Sequence, residues 1–130
     1  MPKGLNYHMK SSGNCSDLNS IKQRLREFAK ARDWDQFHSP KNLSMALSVE
    51  VSEIVEHFQW LTEEQSKNLP KDKLHEVETE LADTLIYLIR LADKLDIDLL
   101  KVSTSKIEVN EQKYPVDKVK GSANKYTEYE

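Results

Sequence analysis

Residues 74–95 read LHEVETELADTLIYLIRLADKL and carry two different stripes on one predicted helix. With Leu74 at 0° and about 100° per residue, one stripe is apolar and lies between about 300° and 20°. It consists of Leu74, Val77, Leu81, Leu85, Leu88, Ala92 and Leu95. The second stripe, which we call the acidic stripe, lies near 180–240° by the same geometry, with about one turn between successive members. It consists of Glu76, Glu80, Asp83 and Tyr87. The spacing predicts a long helix from Pro70 to about Leu95.

Three further helices are predicted around this one, because capping residues and prolines mark their ends. They run from Asp17 to about Arg32, from Ser39 with Pro40 at its first position to about Phe58, and from Asp98 to Pro115. Residues 59–69 are predicted to form a polar connection. No alternation typical of strands stands out. The expected fold class is therefore all-α, like a four-helix bundle.

The amino-acid composition argues against several other classes of protein. The chain has 130 residues with only three Gly and four Pro, which argues against a β sandwich, collagen or a glycine-rich phosphate loop. Charged residues make up 32% and hydrophobic residues 38%, so we expect a small core that a partner subunit completes. The net charge of −3 argues against bulk attraction to nucleic acid or a membrane surface. A single cysteine, Cys15, suits a reducing cytoplasm.

Two pairs of carboxylates occur where a core or a helix interface is expected. On the second helix, Glu50 lies within the apolar arc that contains Leu43 and Leu47, and Glu53 lies on its edge. An inward carboxylate costs several kcal/mol unless a cation, a proton or a metal compensates it. Together with Glu80 and Asp83, these residues offer the oxygen ligands that Mg²⁺ prefers. The alternative is that all four acids are ordinary surface charges.

Other metals fit the pattern less well. Ferritin-like iron sites need a His three residues after a Glu on two helices. Here His57 follows Glu53 by four residues, and the third helix has no His three residues after a Glu. Structural zinc is disfavoured because the chain has one Cys and four scattered His.

A basic face on the fourth helix suggests where an anion could bind. Lys106, Asn110 and Lys113 step by four and three residues and lie within about 60° of one another. Lys125 adds positive charge in the tail. Two ammonium groups and an amide suit phosphate oxygens, although a solvated basic face is the alternative. The loop at residues 33–38 holds Trp34, which either covers the edge of the core or lines a ligand pocket.

Taken together, these motifs resemble the all-α nucleoside triphosphate pyrophosphohydrolases of the MazG-like superfamily, and most closely its dCTP pyrophosphatase branch. The resemblance covers about residues 18–127 and is carried by RDWDQFHSPKNL, ALSVEVSEIVEHFQW, ETELADTLIYLIRLA, SKIEVNEQKYPV and GSANKYT. The E-x-x-E and E-x-x-D metal signature of the family matches Glu50, Glu53, Glu80 and Asp83. Its phosphate motif, which ends in Tyr-Pro, matches Lys106, Asn110, Lys113, Tyr114 and Pro115.

The resemblance implies hydrolysis of a nucleoside triphosphate to the monophosphate and pyrophosphate, with Mg²⁺ as cofactor or Mn²⁺ in its place. In that reaction Glu50 and Glu53 would be catalytic, with Glu53 orienting or deprotonating the attacking water. It also implies a base site formed by Trp34, His38, Trp60 and Tyr87. The expected substrate is dCTP or a modified dCTP, in cytoplasmic house-cleaning of the nucleotide pool.

The resemblance further implies a homo-oligomer, expected to be a tetramer, with sites built between subunits and no nucleic-acid or membrane partner. The expected domain layout is a leader or cloning remnant at residues 1–16, a helical catalytic domain at 17–115 and a polar tail at 116–130. Two other functions stay open at this point. One is a non-catalytic helical interaction module, and the other is a phosphoribosyl-ATP pyrophosphohydrolase of the same superfamily.

Overall fold

A computed structural model describes residues 13–123, and the chain divides into two compact units at Asp96. The first unit contains α1 (Leu18–Ala31), a 3₁₀ turn (Asp35–Phe37), α2 (Pro40–Phe58), α3 (Glu63–Lys67) and α4 (Lys71–Lys94). The second contains α5 (Leu99–Lys113) and α6 (Val116–Val119). All regular elements in the described range are helical, which confirms the predicted all-α class. No helix within this range is both long and apolar enough to cross a membrane.

The predicted helix boundaries are largely confirmed, because local capping decides them. The Asp17 carboxylate accepts a hydrogen bond from the Ser20 amide at 2.7 Å and begins α1. The Ser39 hydroxyl accepts from the Asn42 amide at 3.2 Å, with Pro40 as the first residue of α2. Asp98 likewise accepts from the Lys101 amide at 3.1 Å and begins α5.

Two short helices add to the predicted set. The connection between α2 and α4 contains α3. This short helix begins with a reciprocal pair of hydrogen bonds between Thr62 and Gln65. Pro115 ends α5, and the chain then makes one turn of helix, α6, with Pro115 as its N-cap. Neither short helix has a buried residue. Both therefore arise from local hydrogen bonding and carry no apolar pattern from which to predict them.

The core of the first unit is small and lies where α4 packs against α1 and α2. The fully buried apolar residues of the described range are Ala29, Leu43, Val77, Ile89 and Ala92. α2 and α4 run antiparallel, because His57 near the end of α2 contacts Lys73 near the start of α4. The side of α4 that meets α2 carries Glu80 and Asp83. An acidic interface of this kind limits how much apolar area one chain can bury.

A second side of α4 remains uncovered by its own chain. It consists of Leu74, Leu81, Leu85, Leu88 and Leu95, which are between 38% and 53% exposed, and we call it the leucine face. Val77 and Ala92, which belong to the same predicted stripe, are buried. The apolar pattern thus predicted the helix correctly, but most of its leucines face outward. Exposed apolar area of this kind is typical of a surface that meets another protein.

Candidate metal and nucleotide site

Three of the four predicted metal-binding carboxylates come together between α2 and α4. Single oxygens of Glu50, Glu80 and Asp83 all lie within 4.8 Å of one another. We call these three residues the acidic cluster. α2 supplies Glu50 from inside its apolar arc, and α4 supplies the other two from positions one turn apart. No histidine or cysteine belongs to the cluster within the described range. A site made of carboxylate oxygens alone suits a hard cation such as Mg²⁺.

Glu50 carries the most direct sign that something is to be bound. Its Oε2 atom is buried and has no hydrogen-bond partner among the described residues. Burial raises the pKa of this carboxyl, a hydrogen bond with Glu80 opposes the shift, and the neighbouring acids Glu53 and Asp83 raise the pKa further. A buried oxygen without a donor is unfavourable, and a cation would satisfy it directly. The residues present therefore fit a divalent cation.

The pKa of Glu80 is also raised. Its pKa rises to about 7, chiefly because its protonated form donates a hydrogen bond to Glu53, with removal from water as a further cause. Glu53 is therefore the neighbour of the acidic cluster, although its oxygens lie outside the group of three. A proton on Glu80 therefore relieves the repulsion between the carboxylates when no cation is bound. A cation that binds there must displace this proton.

His57 flanks the cluster and was not among the predicted site residues. Its Nε2 lies 4.0 Å from Oε1 of Glu80, and its Nδ1 lies 3.8 Å from Oε2 of Glu76. Lys73 Nζ lies 3.3 Å from the same Nδ1. A signal existed in the sequence, because His57 follows Glu53 by four residues and therefore lies on the same side of α2.

The predicted base-binding residues are not brought to one place within a single chain. Asp35 and His38, next to Trp34, contact Arg90 near the end of α4. His57, three residues before Trp60, contacts Lys73 near the start of α4. Seventeen residues separate these contact points on α4, or about 25 Å at 1.5 Å per residue. Trp34 and Trp60 thus lie near opposite ends of the α2–α4 pair.

Exposure also differs between these aromatic residues. Trp60 is 86% exposed, whereas Trp34 is 45% exposed and packs edge-on against Phe28 with ring centroids 5.6 Å apart. Tyr87 is half-buried on α4, one turn beyond Asp83. His38 is half-buried, and its Nδ1 already receives a hydrogen bond from Arg90. Within one chain, Tyr87 and the turn that contains Trp34 therefore both lie on the Arg90 side of the acidic cluster, toward the end of α4.

The predicted phosphate-binding residues lie in the second unit. Lys106, Asn110 and Lys113 are all exposed on α5, and the Asn110 carbonyl accepts the Tyr114 amide at 2.9 Å, which ends the helix. Their common face, predicted from the spacing, agrees with the observed helix. Lys125 lies outside the described residues.

Comparison with known proteins assigns the chain to a family and agrees with the all-α fold. The MazG-like family model matches residues 45–129, and the chain belongs to this family. Mouse dCTP pyrophosphatase 1 is 44% identical over 113 residues, which is 85% of this chain and 66% of the mouse protein. Human dCTP pyrophosphatase 1 is 40% identical over 114 residues, again 85% of this chain and 66% of the relative. The chain thus spans slightly less than two thirds of either relative.

A solved structure resembles the fold as well. A pyrophosphatase from Archaeoglobus fulgidus superposes with a TM-score of 0.72 at 38% sequence identity, covering 79% of this chain and 96% of the archaeal one. At 38% identity the two proteins resemble each other in sequence as well as in fold. The range that the family model matches, residues 45–129, includes Glu50, Glu53, Glu80 and Asp83.

Proposed function

We propose that this chain is a metal-dependent nucleoside triphosphate pyrophosphohydrolase that converts a nucleoside triphosphate and water to the monophosphate and pyrophosphate. The observation that carries the proposal is the acidic cluster, in which the buried Oε2 of Glu50 has no protein partner in the described range. Family membership and the two dCTP pyrophosphatases support it. The substrate class that we propose is dCTP or a modified dCTP, with a cytoplasmic role in cleaning the nucleotide pool.

The cofactor that we propose is Mg²⁺, with Mn²⁺ as a substitute, held by Glu50, Glu80 and Asp83, with Glu53 beside them. When bound, such a cation polarises a phosphoryl oxygen and lowers the pKa of a bound water. We propose that Glu53 orients or deprotonates the attacking water. It borders the acidic cluster of Glu50, Glu80 and Asp83 but is not one of the three residues that form it.

The proposed contact to the departing pyrophosphate comes from Lys106, Asn110 and Lys113, with Lys125 as a further cation. Two ammonium groups and an amide on one helix face suit phosphoanhydride oxygens. The base is proposed to contact Trp34, His38, Trp60 and Tyr87. Because Trp34 and Trp60 lie near opposite ends of the α2–α4 pair, a base that touches both needs two copies of the chain.

An oligomer is therefore part of the proposal, with a tetramer as the expected form. The leucine face supports it, since five exposed leucines on one helix side are unfavourable in water. Each chain would then cover apolar area that its partner leaves uncovered. The partners are copies of this chain, and no membrane or nucleic acid is required.

The test is pyrophosphate release from a panel of deoxy- and ribonucleoside triphosphates, with phosphoribosyl-ATP included, in the presence of Mg²⁺. We expect dCTP or a modified dCTP to be the preferred substrate and Glu50→Gln to abolish turnover. Glu56→Gln is the matched control, because Glu56 is an exposed acid on the same helix. Equal, negligible release by wild type and Glu50→Gln would mean that the chain is not an enzyme of this class. Preference for phosphoribosyl-ATP would instead identify the other branch of the superfamily.

A further inference from the structure

A buried arginine lies outside the acidic cluster and has no role in the proposed chemistry. Arg90 of α4 is 3% exposed and is the only charged or polar residue of the described range that is fully buried. It continues the acidic stripe of α4, because it follows Tyr87 by three residues and Asp83 by seven. At 1.5 Å per residue, it lies about 10 Å along the helix from Asp83, on nearly the same side.

Among the described residues, the Arg90 guanidinium contacts the side chains of Asp35, His38 and Asp93. Nη2 donates to Oδ1 of Asp35 at 2.9 Å, and Nε donates to Nδ1 of His38 at 3.3 Å. Nη1 lies 3.7 Å from Oδ2 of Asp93. Lys94 Nζ donates to the same Asp35 oxygen at 2.6 Å. A buried arginine needs such partners, since an unpaired buried charge is strongly unfavourable.

These contacts hold one segment, residues 33–38, which we call the aromatic turn. Asp33 begins it with φ of 54°, a left-handed conformation at the end of α1 that Asp tolerates better than most residues. The Trp34 amide donates to the Ala29 carbonyl at 2.9 Å. Asn42 Nδ2 donates to the Phe37 carbonyl at 2.9 Å. The turn is thus tied to α1 and α2 at its ends, and Arg90 ties its middle to α4.

Trp34 lies next to this middle attachment along the chain. Trp34 packs edge-on against Phe28, and the Arg32 guanidinium covers that Phe28 ring at 3.7 Å from its centre. On the other side, the next residue, Asp35, is bonded to Arg90 and Lys94. The indole thus contacts Phe28 of α1, while the residue that follows it is attached to α4. Charge-assisted hydrogen bonds to a planar guanidinium give directional restraint as well as energy.

Neutral His38 suits this arrangement. Its Nδ1 can accept a hydrogen bond only in the uncharged tautomer that carries the proton on Nε2. Burial and the positive charge of Arg90 lower the pKa of His38, while Asp35 opposes this effect. His38 is therefore kept in the form that Arg90 can bond near neutral pH.

We propose that Arg90 is a positioning residue that fixes the aromatic turn at a set distance from the acidic cluster and so orients Trp34 toward the base of the nucleotide. This inference rests on the proposed function. Arg90 is proposed to make no contact with the reacting phosphates. It acts through Asp35 and His38, and its effect is on the binding and selection of the base rather than on the hydrolytic step.

The kinetic test compares wild type with Arg90→Met, which keeps a long apolar side chain but removes all donors. For the preferred triphosphate we expect KM to rise about tenfold, as for the loss of a charge-assisted hydrogen bond, with kcat within about twofold. Discrimination between bases, measured as the ratio of kcat/KM values, should fall by a similar factor. Lys71→Met is the control, because Lys71 is an exposed cation at the start of the same helix, far along α4 from the turn.

A second variant guards against a folding failure. Asp35 is 59% exposed at its side chain, so Asp35→Asn should fold even if Arg90→Met does not. It weakens the same attachment and should change KM and base discrimination in the same direction. Loss of thermal stability with unchanged KM and base discrimination, in both variants, would overturn the proposal and leave Arg90 a structural residue.

A fluorescence measurement separates this inference from the proposed function. The chain has two tryptophans, so Trp60→Phe leaves Trp34 as the only one. Adding Arg90→Met to that background should make Trp34 more accessible to acrylamide, whereas adding Lys71→Met should not. If wild type released no pyrophosphate from any triphosphate, the proposed function would fail, and quenching would still decide whether Arg90 holds the turn. Unchanged quenching would show that it does not.

Discussion

Glu50 of α2 and Glu80 of α4 face each other with carboxylate oxygens within 4.8 Å, and Oε2 of Glu50 has no hydrogen-bond partner among the described residues. Nε2 of His57 lies 4.0 Å from Oε1 of Glu80. The pair therefore stores electrostatic repulsion that a proton or a divalent cation relieves. This relationship makes both stability and cation binding depend on pH.

The first prediction concerns stability without metal. The pKa of Glu80 rises from 4.5 to about 7 in the folded chain, so the folded state keeps a proton that the unfolded state releases. The stabilisation is fully present below about pH 4.5 and is lost as the pH rises through 7. In EDTA, the Tm of wild type should fall between pH 5.5 and 8, and Glu80→Gln should flatten this decline. Parallel pH profiles for the two proteins would contradict the assignment.

The second prediction concerns the cation. Asp83→Asn should lower activity by about 100-fold or more, because the Lewis-acid contribution of a bound metal is worth several kcal/mol. It should also raise the Mg²⁺ concentration for half-maximal activity. Asp72→Asn changes an exposed acid on the same helix and should leave both values unchanged. A titration of activity against Mg²⁺ for the three proteins measures the effect. Equal titration curves for wild type and Asp83→Asn would exclude Asp83 as a ligand.

The third prediction concerns the basic face of α5. Lys106→Met should raise KM for the triphosphate about tenfold, the effect expected for one lost charge-assisted contact. Lys101→Met, an exposed lysine earlier on the same helix, is the control. A thermal shift in Mg²⁺ with a non-hydrolysable triphosphate gives an independent readout, since ligand at 100 times Kd adds about 2.7 kcal/mol. A shift as large for Lys106→Met as for wild type, at equal ligand concentration, would remove Lys106 from the site.

The fourth prediction concerns the leucine face. Leu81→Glu places a charge in the middle of this exposed apolar surface and should produce a smaller species in light scattering coupled to size exclusion. His75→Glu is the control, because its side chain is 81% exposed and lies off the leucine face. An unchanged mass for Leu81→Glu would show that copies of the chain do not meet through this surface.

The sequence was sufficient where local chemistry decides. Asp17, Ser39 and Asp98 begin helices because their side-chain oxygens satisfy free backbone amides within three residues. Glu50 could be singled out because a carboxylate within an apolar arc violates the helical pattern. The meeting of Glu50 with Glu80 and Asp83 followed from two such anomalies on neighbouring helices.

The packing of the helices depends on which helix faces contact each other, and the periodicity of apolar residues does not specify these contacts. The leucine face has the stronger apolar pattern, yet the acidic stripe of α4 is what packs on α2. Apolar spacing reports that a face is buried by something, without saying whether the same chain supplies it. Arg90 was missed for a related reason, because an arginine inside a leucine-rich run looks like an exposed charge. Its step of three from Tyr87 was the available signal.

The separation of Trp34 and Trp60 has a genetic consequence. If both tryptophans contact the same base, each site combines one from each of two chains. A chain lacking Trp34 and a chain lacking Trp60 would then complement each other, because a mixed assembly rebuilds some intact sites. Two alleles that are each inactive would restore partial activity when expressed together, whereas two alleles that affect the same tryptophan would not.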